Sequence, residues 1–377
     1  MTAKNVGLRF LMSCFIFLAV GPRAGAMEDA AYLDRPYTEP AGFKRFKFQV
    51  KRDILPPFSD VDGLIAKQTP VKAQMERQTC SIFSSTALLE SLLHAEFGLK
   101  IEGLDLSEQW LEYLAERKTS GQGSNTRINY LNITSYGMIS ETSEPYMTSE
   151  WTSVNDSATA FVRCGHLVGA RRMICLKTGR DPELYSMLDE VLRVLDLNFY
   201  KMKLEGLIFR EAYLASFQVN DIRELPSLDD VKRLLARGVP VAMDLDFYYG
   251  AWNHKTAETL NMKRNIDHWR RGLVGYPAAG SVDLQASRSQ PSGHSVLLVG
   301  YDDRYQISVP TEMRDGTIKP ITYQGVFYFK NSWGTEGFGS EAMINGKNRP
   351  GYGTIVQQYA EEYGRFYQFP LRKKSVD

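Results

Sequence analysis

The chain has 377 residues, 43% of them hydrophobic and 24% charged. That is the composition of a globular protein with one large domain or two ordinary ones, and it excludes wholesale disorder, collagen-like repeats and a multi-span membrane protein. Lys and Arg number 45 against 44 for Asp and Glu, so no electrostatic footprint points to nucleic acid or an anionic membrane.

Residues 1–26 have the layout of a secretory signal peptide: Lys4 and Arg9 at a positive start, an apolar run from Leu8 to Val20, and small residues at Ala24-Gly25-Ala26. Cleavage is expected after Ala26. The apolar run is shorter than the roughly 20 residues a membrane span needs, so the mature chain is expected to be secreted or periplasmic, with no stable membrane insertion. Removal takes away Cys14 and leaves Cys80, Cys164 and Cys175. In an oxidising compartment an odd count leaves one thiol over. Cys164 and Cys175 are close enough in sequence to bridge each other, which isolates Cys80. Two buried, unpaired thiols are the other reading, and a zinc site on Cys164, His166 and Cys175 lacks a fourth ligand. No metal or organic cofactor is implied.

Residues 27–52 are rich in Pro, Phe and charge without a sustained period, and read as a short N-terminal arm or pro-segment. A strong helix is expected directly after Cys80: Ile82, Phe83, Ala87, Leu89, Leu92, Leu93 and Phe97 recur at helical spacing, and Gly98 stands where a helix stops. Thr79 is a reasonable N-cap. Cys80 then lies in the first turn, where unpaired N–H groups and the helix dipole favour a thiolate, although a small inward-facing core cysteine fits an apolar helix as well. Further along, Leu184, Met187, Leu188, Val191, Leu192, Val194 and Leu195 repeat at helical spacing, and a second helical stretch runs from near Leu204 to Phe217. Ser227 caps a helix with Asp230 three positions on, and Gly238 to Met243 starts a strand. His294 stands at the mouth of an apolar strand, Val296 to Tyr301, after Ser292-Gly293. A second strand, Val326 to Lys330, ends in Asn331-Ser332-Trp333-Gly334.

Gln74, Cys80 with the serines that follow it, His294 before an apolar strand, and Lys330-Asn331-Ser332-Trp333-Gly334 together resemble the papain-like cysteine peptidases. Leu55-Pro56-Pro57-Phe58-Ser59, Thr69 to Gln74, Leu106 to Gln109, Ser120-Gly121-Gln122-Gly123 and Glu144-Pro145-Tyr146 extend the likeness in the family's order. The resemblance implies an α+β fold of two lobes: a helical lobe carrying Cys80, and a β-barrel-like lobe carrying His294 and Asn331, with the active-site cleft between them. It implies a catalytic triad of Cys80, His294 and Asn331, an oxyanion hole that includes Gln74, and Trp333 shielding the His294–Asn331 hydrogen bond. Gly121, Gly123, Ser292 and Gly293 would touch a peptide or protein substrate. A thiolate–imidazolium pair would give a bell-shaped pH profile between a lowered cysteine pKa and a raised histidine pKa.

The chain departs from the family around the nucleophile. Gln78-Thr79 precedes Cys80 and Ser81 follows it, where the family usually has a Gly-Ser or Gly-Ala pair and an aromatic. Arg77 occupies the place of a disulfide cysteine, so stability there is expected from packing. The intervals separating Cys80, His294 and Asn331 are long, which places insertions at about 164–225, 251–290 and 302–323 within a catalytic domain of residues 53–377. Its helical lobe covers about 65–235 and its β lobe about 236–377. The second insertion, with Trp252, Trp269 and Tyr276, leads to His294 and could wall the cleft. A catalytically silent peptide- or protein-binding protein on the same fold is the alternative function.

Overall fold

The computed structural model describes residues 55–118, 123–215 and 222–371. The expected signal peptide and Gly121 lie outside them. In the helical half, α1 (Val61–Ile65), α2 (Cys80–Phe97), α3 (Glu108–Glu116) and α4 (Thr126–Tyr136) are followed by α5 (Ala158–Cys164), α6 (Gly169–Thr178), α7 (Asp189–Leu195) and α8 (Leu197–Phe209). Helix α2 buries Ile82, Leu88, Leu89, Leu92 and Leu93, and Gly98 ends it in the left-handed conformation at φ +70°. Side-chain caps fix the next two starts: Ser107 Oγ accepts from Trp110 N at 3.0 Å and Asn125 Oδ1 from Ile128 N at 2.9 Å.

In the β half, the chain runs β1 (Arg223–Leu225), α9 (Leu228–Ala236), β2 (Val241–Asp246), α10 (Thr256–Thr259), α11 (Ile266–Arg270), β3 (Leu273–Val274) and α12 (Val282–Ser289). Then come β4 (Gly293–Glu312), β5 (Ile318–Lys330), β6 (Met343–Ile344), β7 (Lys347–Asn348), β8 (Tyr352–Val356), α13 (Gln357–Tyr363) and β9 (Gly364–Gln368). Seven strands form one sheet in the order β1-β9-β2-β4-β5-β8-β3, antiparallel except for β3 against β8. Its central strand β4 holds His294 opposite Leu245 of β2. Strand β5 runs back to deliver Lys330 and, one residue on, Asn331. One hydrophobic core joins the sheet to α2, α3 and α4, so the catalytic candidates sit where the two halves meet.

Residues 302–323 prolong β4 and β5 into an antiparallel ribbon whose register runs from Gln306 opposite Gln324 to Glu312 opposite Ile318. The reason is period-two burial: Ile307, Val309 and Thr311 are buried while Gln306, Ser308 and Pro310 are exposed. Of the apolar repeat that begins at Leu184, Leu184 and Leu192 are buried whereas Leu188, Val194 and Leu195 face solvent.

Candidate active site

Cys80 is the first residue of α2 and fully buried. Thr79 precedes it at the N-cap position, yet its side chain makes no cap bond. Its Oγ1 pairs instead with the Tyr146 hydroxyl at 2.7 Å. One turn into the helix, Ser84 Oγ meets Ser295 Oγ at 2.5 Å, so the start of α2 packs beside the residue that follows His294.

The backbone of Lys72 to Gln74 forms a short ladder with Ser332 to Gly334: Gln74 N donates to Ser332 O at 2.8 Å and Gly334 N to Lys72 O at 3.2 Å. That ladder carries Gln74 to Asn331-Ser332-Trp333. Ser332 Oγ donates to Gln74 Oε1 at 2.6 Å, and Gln74 Nε2 donates to Arg77 O at 2.6 Å. Oxygen and nitrogen of the amide are thereby distinguished by their partners.

His294 Nε2 lies 2.8 Å from Asn331 Oδ1, which also accepts from Ser332 N at 2.9 Å. Because Oδ1 can only accept, Nε2 carries the proton. Nδ1 is then the lone-pair nitrogen, buried and without a hydrogen-bond partner among the described residues. The Asn331 bond thus fixes the orientation of the His294 ring. Trp333 lies over the ring at 4.6 Å between centroids and 33° between planes, while Trp252 and Phe247 meet it edge-on at 5.2 Å and 5.9 Å. This enclosure pushes the His294 pKa down to about 4, and the Asn331 bond offsets only part of the effect.

The sequence matches no protein-family model and no curated protein. Among solved structures, xylellain, a cysteine protease from Xylella fastidiosa, aligns over 92% of this chain and 97% of its own at 15% identity and a TM-score of 0.51. The fold is papain-like. Digestive procathepsin L 3 from the larval midgut of Tenebrio molitor (15% identity, TM-score 0.44, 91% of this chain and 77% of that one) and the recombinant stem bromelain precursor (13%, 0.42, 86% and 75%) also align.

On this papain-like fold, Gly123 has φ +77°, and the adjacent Ser124 Oγ lies 2.9 Å from Ser81 Oγ, beside Cys80. Gly293 opens β4 opposite Asp246, and Ser292 accepts from Phe247 N at 2.8 Å through its backbone. Cys164 and Cys175 form a disulfide between α5 and α6, well away in sequence from Cys80, which is in no disulfide. The Arg77 guanidinium is buried in an ion pair with Glu112 at 2.6 Å, because a planar cation removed from water requires directional partners. Sequence reasoning gave no role to Arg77, Ser332, Tyr146 or Phe247. Arg77 carried a signal, a charge in the place of a half-cystine.

A cavity of about 360 Å³ lies between Ala251, Asn253 and Arg264 on one side and Val309, Glu312 and Ile318 of the ribbon on the other. The catalytic candidates do not line it. The pocket bounded by Ser84, Ser295, Asn331 and Ser332 holds only about 20 Å³.

Proposed function

We propose that the protein is a cysteine peptidase that hydrolyses peptide bonds through a thioester. The observation that carries this reading is the buried Asn331–His294 pair under Trp333, with Nδ1 left as a base at the junction where α2 presents Cys80. Cys80 Sγ, ionised by transfer of its proton to His294 Nδ1, attacks the scissile carbonyl. The carbonyl oxygen gains negative charge, which the Cys80 backbone N–H and an N–H of Gln74 stabilise. The C–N bond then breaks as Nδ1 returns the proton to the departing amine, leaving an acyl-thioester on Cys80. Water, deprotonated by Nδ1, attacks that thioester and releases the acid. Gly121, Gly123, Ser292 and Gly293 would line the path of an extended peptide. The disulfide between Cys164 and Cys175 supports export to an oxidising compartment. No helix among the described residues is long and apolar enough to cross a membrane.

Labelling by a peptidyl epoxide tests the reading, with the modified residue located by mass spectrometry and Cys80→Ala as control. Stoichiometric modification at Cys80 alone, together with hydrolysis of peptide amides, is expected. A folded, reduced sample that neither labels nor hydrolyses would overturn it. The burial of Cys80, Gln74 and His294 favours a second reading, a silent peptide-binding protein, which such a result would select.

A further inference from the structure

We infer that Arg77 is a positioning residue that holds the oxyanion-hole segment, residues 74–80, in its working shape. The inference rests on the roles proposed for Gln74 and Cys80. Arg77 acts at two places. Its backbone carbonyl accepts from Gln74 Nε2 at 2.6 Å, which fixes the plane of the Gln74 amide. Its side chain bolts the loop to the helical lobe. Nη2 reaches both oxygens of Glu112 at 2.6 Å and the carbonyl of Lys177 at 3.0 Å, while Nη1 donates to Gln109 Oε1 at 2.9 Å and to the carbonyl of Met147 at 2.8 Å.

The Tyr146 ring faces the guanidinium at 4.9 Å. The hydroxyl of that tyrosine donates to Gln74 O at 2.9 Å and meets Thr79 Oγ1 at 2.7 Å. The two ends of the segment are thus pinned to one side chain lying against Arg77.

The segment needs such bolts. Met75 has φ +54°, a left-handed conformation that costs a side-chain-bearing residue about 1 kcal/mol or more, so a loosened loop would relax away from it. Lysine could not replace the arginine, since one ammonium cannot address a carboxylate, an amide oxygen and two carbonyls spread in a plane. Both terminal nitrogens of Arg77 are engaged by Glu112, Gln109 and two backbone carbonyls, so its side chain holds the segment and not the substrate. The Lys177 carbonyl lies on α6, two residues beyond Cys175, so the disulfide-bridged insertion supplies part of the socket.

The test compares the full chain with Arg77→Lys, Arg77→Met and Glu112→Gln. Hydrolysis of a peptide amide develops an oxyanion, whereas alkylation of Cys80 by iodoacetamide does not. The expected result is a ten- to hundredfold loss in kcat for the Arg77 variants with little change in KM, and an alkylation rate within about threefold of the parent. Amide hydrogen exchange across residues 74–80, read by mass spectrometry, should rise in all three variants. Hydrolysis and alkylation falling together, or exchange unchanged across the segment, would overturn the inference. Exchange is read without turnover, so a parent chain that hydrolyses nothing would refute the peptidase reading separately.

Discussion

At His294, burial and hydrogen bonding pull in opposite directions. Phe247, Trp252 and Trp333 exclude the water that would stabilise an imidazolium, and Asn331 Oδ1 recovers part of that loss, so the ring sits at about 4 instead of near 6.5. This opposes the raised value expected for a thiolate–imidazolium pair, and only a negative charge on Cys80 could reverse it. In Cys80→Ala, His294 should therefore titrate near 4 by NMR, while in the intact chain it should titrate above the ordinary value. An intact chain that also titrates near 4 has no ion pair at neutral pH. Stability in the Cys80→Ala background follows the same sign. A folded-state pKa below the unfolded one means that the unfolded chain binds more protons between pH 6.5 and 4. Stability is then fully present above pH 6.5 and is lost as pH falls towards 4, by at most about 3 kcal/mol. Urea midpoints at pH 7 and 4.5 should diverge in this background, and the gap should narrow when His294→Asn is added.

Among the elements, α5 and α6 bury very little of their own. Cys164, Leu167, Cys175 and Leu176 form a small cluster apart from the main core, with Trp151 and Val154 packed against it. So small a cluster gains little from apolar burial, and the disulfide, closing 11 positions, contributes about 3 kcal/mol by chain entropy. The double replacement Cys164→Ala, Cys175→Ala should lower the urea midpoint accordingly and raise proteolytic cleavage within residues 158–178. An unchanged midpoint would mean that the ion pairs Arg163–Glu144 and Lys177–Glu116 hold these helices without it. The β4–β5 ribbon makes a separate case. Its tip uses Gly316 at φ +81° with open space around the missing Cβ, so Gly316→Ala should cost only about 1 kcal/mol of conformational strain. Because His294 and Asn331 lie at the opposite ends of these strands, the Cys80 labelling rate should not move. Helix α2 was legible because its apolar spacing and Gly98 act locally, and the strands of His294 and Asn331 because continuous apolar runs mark buried strands. The outer ribbon was not, since its alternation mixes Thr and Pro with Ile and Val. Nor was the Arg77 socket, whose partners are scattered from Gln109 to Lys177 and meet only in the folded chain.

On the scale of the whole molecule, the two lobes are latched beside the catalytic candidates. Thr126, at the start of α4, donates its N–H to Asp244 Oδ2 at 3.0 Å and its hydroxyl to Oδ1 at 2.6 Å. Asp244 lies on β2 opposite Ser295, the partner of Ser84. Burial raises the Asp244 pKa, and the bonds from Thr126 and Ser295 work against that rise. With the latch closed, Cys80 and Gln74 have no exposed surface and His294 is 2% exposed. The nearby pocket of about 20 Å³ has room for one water and no side chain. If opening at this latch is what admits a reagent to Cys80, the rate of reaction there scales with the open fraction. Thr126→Val removes the hydroxyl donor and leaves the carboxylate short of one bond, a loss of about 1–2 kcal/mol from the closed state. Alkylation of Cys80 should accelerate about five- to thirtyfold, more for a bulky maleimide than for iodoacetamide, because the larger reagent needs the wider opening. Equal acceleration of both reagents would place the opening elsewhere, and a loss of overall stability with unchanged alkylation would reduce the latch to a structural contact.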